Sequence, residues 1–252
     1  MFQKNNLFFL LCDLSYKFHK IHTLLLNIYI SKMRKIVLAI TVVVTLISCK
    51  KEESPISNEA NQTPIEKLIA GNQRFLDEKT IHPHQNKKSV LENQNGQHPF
   101  AVIVTCSDSR VAPEILFDQG IGDLFVIRNA GNLISDIDMG SIEYAVEHLD
   151  AKLVVVLGHT ECGAIKAYIG DKNNDYKKHH NHIDDIIETI SNEQEEKQEE
   201  KLHSKETNIL GCINANIEHS TKTIASNPII KKHKTQIISM RYDVHTGKIV
   251  LL

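Results

Sequence analysis

The amino-acid sequence predicts an α/β fold: a central, mainly parallel β-sheet flanked by helices, with a C-terminal β-hairpin. Three observations support this. The apolar runs "FAVIVT", "LFVI" and "LVVVLG" are continuous rather than alternating, which marks strands buried on both faces. Segments with helical apolar spacing separate and follow them. Two short strand-like runs flank "HTG" near the end of the chain.

The elements follow in order. Residues Pro64–Lys79 repeat apolar side chains at Ile65, Leu68, Ile69 and Phe75, the period of a helix. "PFAVIVT" is a short buried strand ending at Thr105, and Asp123–Gly131 is a second, closing on a glycine turn. Gly140–Leu149 is an amphipathic helix with Ile142, Ala145, Val146 and Leu149 on one face. Lys152–His159 is a third strand, and "CGAIKAYI" opens a helix. Tyr176–Glu206 is so strongly charged that it reads as a solvent-exposed helix with a frayed part. Helical spacing returns at Ile209, Leu210, Ile213 and Ile217, and "TQIISMRYDVHTGKIVLL" forms the terminal hairpin. There is no internal repeat and no glycine-rich phosphate loop.

A chain of 252 residues suits one hydrophobic core. A net charge of −2 gives no electrostatic case for nucleic acid. Five cysteines, widely scattered, do not make a disulfide framework. Residues 33–48 pair a short basic region (Arg34, Lys35) with an apolar run that ends in "LISC", a lipoprotein-type signal peptide with Cys49 as the lipidated residue. The run Ile36–Ile47 is too short to span a bilayer comfortably, although an uncleaved anchor is the alternative. Residues 1–32 are then an upstream mis-start or an extra segment, 49–63 a flexible tether, and 64–252 one domain. The expected location is a bacterial cell envelope, the protein being exported and lipid-anchored in the periplasm or on the outer membrane.

Two of the predicted strands end in metal-type ligands. Cys106 follows the first; His159 ends the third, and Cys162 lies just beyond it. The pattern is Cys-x52-His-x2-Cys. Sites in open α/β sheets form beyond the carboxyl ends of strands, where adjacent ends lie about 4.8 Å apart. Two thiolates and an imidazole make a catalytic-type zinc set with a fourth position open. The residues alone are equally compatible with packed core cysteines. Asp108 and Arg110, two and four positions past Cys106, can form a rigid bidentate pair. Such a pair could orient a zinc-bound water, or simply cap the loop.

"CSDSRVAPE", "GDLFVIRNAGN", "GSIEYAVEHL" and "GHTECGAI", in that order, closely resemble the β-class carbonic anhydrases. The resemblance covers about Pro64–Leu252 and is densest from Gly96 to Gly170. It implies a β-carbonic-anhydrase-like fold whose N-terminal helix, Pro64–Lys79, protrudes to embrace a second subunit in a homodimer or homotetramer. It implies one Zn2+ per subunit on Cys106, His159 and Cys162, with Asp108 and Arg110 as the catalytic dyad. Substrate binding would involve Gln97 from across the dimer interface, the Gly163 backbone N–H, and a pocket at Phe125, Ala130 and Tyr144. The reaction implied is reversible hydration of carbon dioxide to bicarbonate and a proton, by zinc-bound hydroxide, favoured at mildly alkaline pH. The chain has no Trp, which argues against the tryptophan-built bicarbonate site of one subgroup. The proton acceptor is left open among His98, His148 and the cluster His179, His180 and His182. Two alternatives stand beside this reading: hydrolysis of carbon disulfide or carbonyl sulfide on the same fold, and a non-catalytic zinc-stabilised surface protein.

Overall fold

The computed structural model describes Met33 and residues 62–172, 181–202 and 208–252. The proposed signal peptide, Cys49, the upstream segment, His179 and His180 lie outside the described residues. Helix α1 (Pro64–Leu76) starts in a capping box, the Thr63 hydroxyl accepting from the Glu66 N–H and the Glu66 carboxylate accepting from the Thr63 N–H, with Pro64 in the first turn. Helix α2 (Lys87–Glu92) precedes β1 (Ala101–Cys106). A single turn, α3 (Pro113–Leu116), leads to β2 (Leu124–Asn129), and α4 (Asp136–His148) leads to β3 (Leu153–His159). Helix α4 begins four residues before the expected start because Ser135 and Asp138 build another capping box there. Helices α5 (Gly163–Lys172), α6 (His182–Asn192), α7 (Gln194–Leu202), α8 (Ile209–Ser226) and α9 (Pro228–His233) follow, then β4 (Gln236–Tyr242) and β5 (Ile249–Leu251).

The sheet order is β2-β1-β3-β4-β5. The first four strands are mutually parallel and β5 runs antiparallel to β4. The expected hairpin is present, but its first strand also pairs along its whole length with β3, from Leu153↔Gln236 to His159↔Tyr242. Strand side chains alternate between two cores. Val102, Val104, Val154 and Val156 face a layer built by α4, α5, α6 and α8. Ala101, Ile103, Val155 and Leu157 face Leu68, Phe117, Met240 and Tyr242. Both faces are dry, so the strand sequences need no polar alternation. Each fully buried Val, Leu or Ile contributes about 1.5–3 kcal/mol relative to exposure.

Helix α1 seats one face on its own domain. Leu68 is fully buried, and the Asn72 amide donates to Leu116 O and Gly247 O while its Oδ1 accepts from the Ile249 N–H. The charged segment is only partly solvated. Ile187 and Ile190, three apart on α6, enter the core. Glu193, Glu195 and Glu196 are buried as well. Glu195 accepts from Lys222 Nζ at 2.9 Å and lies 2.8 Å from His219 Nδ1 on α8.

Glu193 sits at the α6–α7 junction, and its carboxyl is pushed up to about 9 by burial, then by Glu196 and Glu195. The unfolded chain ionises this group near pH 4.3, so between that pH and about 9 the native state binds more protons and stability falls as pH rises. Glu193→Gln is therefore expected to raise the melting temperature at pH 8 by several degrees, the penalty relieved being on the order of a few kcal/mol. The gain should largely close at pH 4, where the native carboxyl is neutral and the unfolded one mostly so. Paired melting curves at the two pH values check this; an equal gain at both would refute the titration account.

Candidate metal centre

Strands β1 and β3 are neighbours, and the chain leaves β1 toward β2 on one side before returning to β3 on the other. Their carboxyl ends therefore flank a topological switch point, where open α/β sheets place their sites. The register sets Thr105 opposite Leu157, so Cys106 and His159 leave the sheet side by side. The Thr105 hydroxyl donates to Leu157 O at 2.7 Å and locks this register from inside. A short turn then brings Cys162 back at the entrance of α5. The three ligand atoms of Cys106, His159 and Cys162 lie within 4.8 Å of one another, on residues 6%, 0% and 2% exposed.

The surroundings prepare each ligand. His159 Nδ1 lies 2.8 Å from the Thr160 carbonyl, which can only accept, so the ring proton sits there and Nε2 carries the lone pair. That carbonyl is held in turn, because Thr160 N–H donates to Tyr242 O and the Thr160 hydroxyl accepts from Val244 N–H. Nε2 is buried with no hydrogen-bond partner among the described residues. An orphaned imidazole nitrogen facing two sulfurs is costly unless something fills the space between them. The Cys106 thiol is pulled down to about 4, chiefly by the hydrogen bond from Cys162 and against the effect of burial, with help from the N–H groups of Gly131 and Asp108. Cys162 is pushed up by Cys106 and by burial, while the Ala164 and Ile165 N–H groups at the start of α5 pull the other way. Without a cation the two sulfurs share one proton; a divalent ion would displace it. One nitrogen and two sulfurs are a donor set that fits zinc.

Asp108 overlooks this cluster. Its Oδ2 is 4.0 Å from His159 Nε2. Arg110 grips it with a fork, Nε to Oδ1 at 2.9 Å and Nη2 to Oδ2 at 2.7 Å, and its backbone N–H adds a third bond. The guanidinium first, then the Arg110 N–H, hold the carboxyl well below the usual carboxylate range despite burial. Arg110 Nη2 also donates to Glu161 O at 3.3 Å, joining the Cys106 half of the site to the Cys162 half.

The other expected residues are more dispersed. Gly163 opens α5 and is exposed beside Cys162, and Ala130 is exposed directly before Gly131. Phe125 and Tyr144 form a ring pair with centroids 6.4 Å apart. Phe125 pairs with Val102, four residues before Asn129, the partner of Cys106, so it lies about 13 Å from the strand end. Gln97 is exposed in the segment before β1. His148 stacks on Tyr144 at 5.3 Å, and His182 pairs with Asp185. Cys212 is buried at 2% exposure and outside any disulfide. Arg128 was not anticipated: from the end of β2 it donates to Cys106 O and Asp108 O, fixing the loop that carries both. Nothing but its place at a strand end could have signalled that.

Comparison with known proteins agrees. The family model described as carbonic anhydrase matches residues 101–249. "Carbonic anhydrase 2" of Mycobacterium tuberculosis is 45% identical over 124 residues, 49% of this chain and 59% of that protein. The chain thus spans less than two thirds of that relative. A carbonic anhydrase of Candida albicans is 31% identical over 206 residues, 75% of this chain and 68% of that one. Among solved structures, a β-carbonic anhydrase from the ascomycete Sordaria macrospora, described as tetrameric, superposes with a TM-score of 0.58 at 26% identity, covering 76% of this chain and 98% of the other. The match over most of the folded domain, the shared sheet and the Cys–His–Cys cluster at its switch point lead to one assignment: the chain belongs to the carbonic anhydrase family, in its β class.

Proposed function

We propose that this protein catalyses the reversible hydration of carbon dioxide to bicarbonate and a proton, with zinc held by Cys106, His159 and Cys162. The observation that carries this reading is the Asp108 carboxylate, gripped by Arg110, with its Oδ2 4.0 Å from Nε2 of the ligand His159. Bound zinc would acidify a water and so supply a nucleophile near neutral pH. The remaining work falls to the chain. Ionised Asp108 can only accept hydrogen bonds, so an O–H group in front of it must point its hydrogen at Oδ2 and its lone pair away. The Arg110 fork prevents Asp108 from rotating, which fixes that direction before substrate arrives. The Gly163 N–H, at the exposed head of α5, would donate to a carbonate oxygen. Phe125 lies about 13 Å back along β2 from the strand end and Gln97 is exposed before β1; with Tyr144 and Ala130 they would line a pocket completed by a second copy in a dimer or tetramer. Anchoring of the protein at the cell envelope through lipid on Cys49 belongs to the same reading.

Stopped-flow measurement of carbon dioxide hydration by the zinc-loaded chain tests the activity. A rate well above buffer at mildly alkaline pH is expected. A rate no faster than buffer refutes it, and turnover of carbon disulfide or carbonyl sulfide in its place would move the protein to the hydrolase alternative.

A further inference from the structure

We propose that α8 is the positioning element of the metal centre: Asn216 and Ser220 hold the Gly131–Asn132 turn so that the Gly131 N–H stays aimed at Cys106 Sγ. The inference rests on the metal reading above. Asn216 and Ser220 are four residues apart on one face of α8, and each is 1% exposed. The rest of that face is apolar, with Ile213, Ile217 and Ile224 all buried. An amide and a hydroxyl among isoleucines cost stability unless they meet partners. They meet two successive carbonyls: Asn216 Nδ2 donates to Gly131 O at 2.8 Å, and the Ser220 hydroxyl donates to Asn132 O at 3.0 Å. Asn216 Oδ1 is buried without a hydrogen-bond partner among the described residues, so the amide is retained for its NH2 alone.

The turn they grip needs an external hold. Gly131 has φ +83° and Asn132 φ +49°, both in the left-handed region that disfavours residues carrying a Cβ. That conformation turns the Gly131 N–H onto Cys106 Sγ at 3.4 Å. An N–H donated to a thiolate is charge-assisted, and it sets both the direction and the donor strength of the sulfur. Between Asn216 and Ser220, Ile217 presses on β3. A Cβ on Gly158 would come within 2.4 Å of Ile217 Cδ1, and Gly158 immediately precedes His159. One helix face thus registers the Cys106 half of the site by hydrogen bonds and the His159 half by contact.

The test uses the full chain loaded with zinc or with cobalt(II). Asn216→Ala should weaken zinc about tenfold in chelator competition, the lower end of what outer-shell changes cost. It should also shift the thiolate-to-cobalt charge-transfer band to lower energy, because the sulfur loses its donor. Ser220→Ala, which removes only a hydroxyl, should move both readouts the same way by less. Ile224→Val loosens the same helix without touching the turn, and should leave both unmoved. If zinc affinity and band position stay at wild-type values in Asn216→Ala/Ser220→Ala, or if Ile224→Val shifts them equally, the proposal fails. A wild type that binds no zinc overturns the metal reading and this proposal together; a zinc-loaded wild type beside unmoved variants overturns this proposal alone.

Discussion

Cys106→Ser is expected to lose zinc and, with it, carbon dioxide hydration, while the fold survives. The ligand cluster is assembled by the ends of two strands already fixed by their own pairing, so the sheet does not depend on the ion for its shape. Serine keeps the size and hydrogen-bonding capacity of the residue but removes the soft anionic sulfur, leaving two protein ligands. Changes outside the first ligand shell already cost about 10–100-fold in metal affinity, so losing a ligand should cost more than about 100-fold. Metal analysis after dialysis against a weak chelator, with circular dichroism on the same sample, checks both halves of the statement. Stoichiometric zinc at wild-type affinity in the variant would remove Cys106 from the ligand set.

Asp108→Asn should behave in the opposite sense: zinc retained, turnover lost. Asparagine preserves the shape, but its NH2 can face the site or Arg110, and either choice spoils the geometry. Facing the cluster, it donates where an acceptor is required; facing Arg110, it meets another donor and opens the fork. Misorientation of a reacting group costs about 100-fold in rate, and kcat/KM should fall by that order. An unchanged kcat/KM at full zinc occupancy would reduce the Asp108–Arg110 pair to a loop cap, the alternative that the sequence leaves open.

The strands and ligands were legible for the same reason. Strands dry on both faces cannot hide in a sequence, and β1 and β3 announce themselves as "AVIVT" and "LVVVLG". Residues at the ends of such runs are then conspicuous if they are Cys or His. The supporting shell was not legible. Asn216 and Ser220 read as interruptions of an apolar stripe, because their partners lie 85 and 88 residues away on a loop. Glu193 and Glu196 read as solvated charge, because composition cannot reveal that α7 turns them inward against α8. Strand β4 was seen as half of a hairpin, since local pairing can be read from a turn signal whereas parallel pairing to β3 cannot. Phe125 and Tyr144 are placed by resemblance; the register sets Phe125 about 13 Å back from the strand end, with the Tyr144 ring beside it.

The split origin of the ligands also has a kinetic meaning. His159 and Cys162 are neighbours in any conformation, but Cys106 joins them only when β1 has paired with β3 across a loop of more than fifty residues. Closing such a loop precedes any reward from the contacts it makes, which is why parallel pairings form slowly. An unfolded chain can offer a metal only a loose two-point hold. Tight capture is therefore a late event in maturation, and the moment of zinc retention marks the moment at which the central pair of strands has closed.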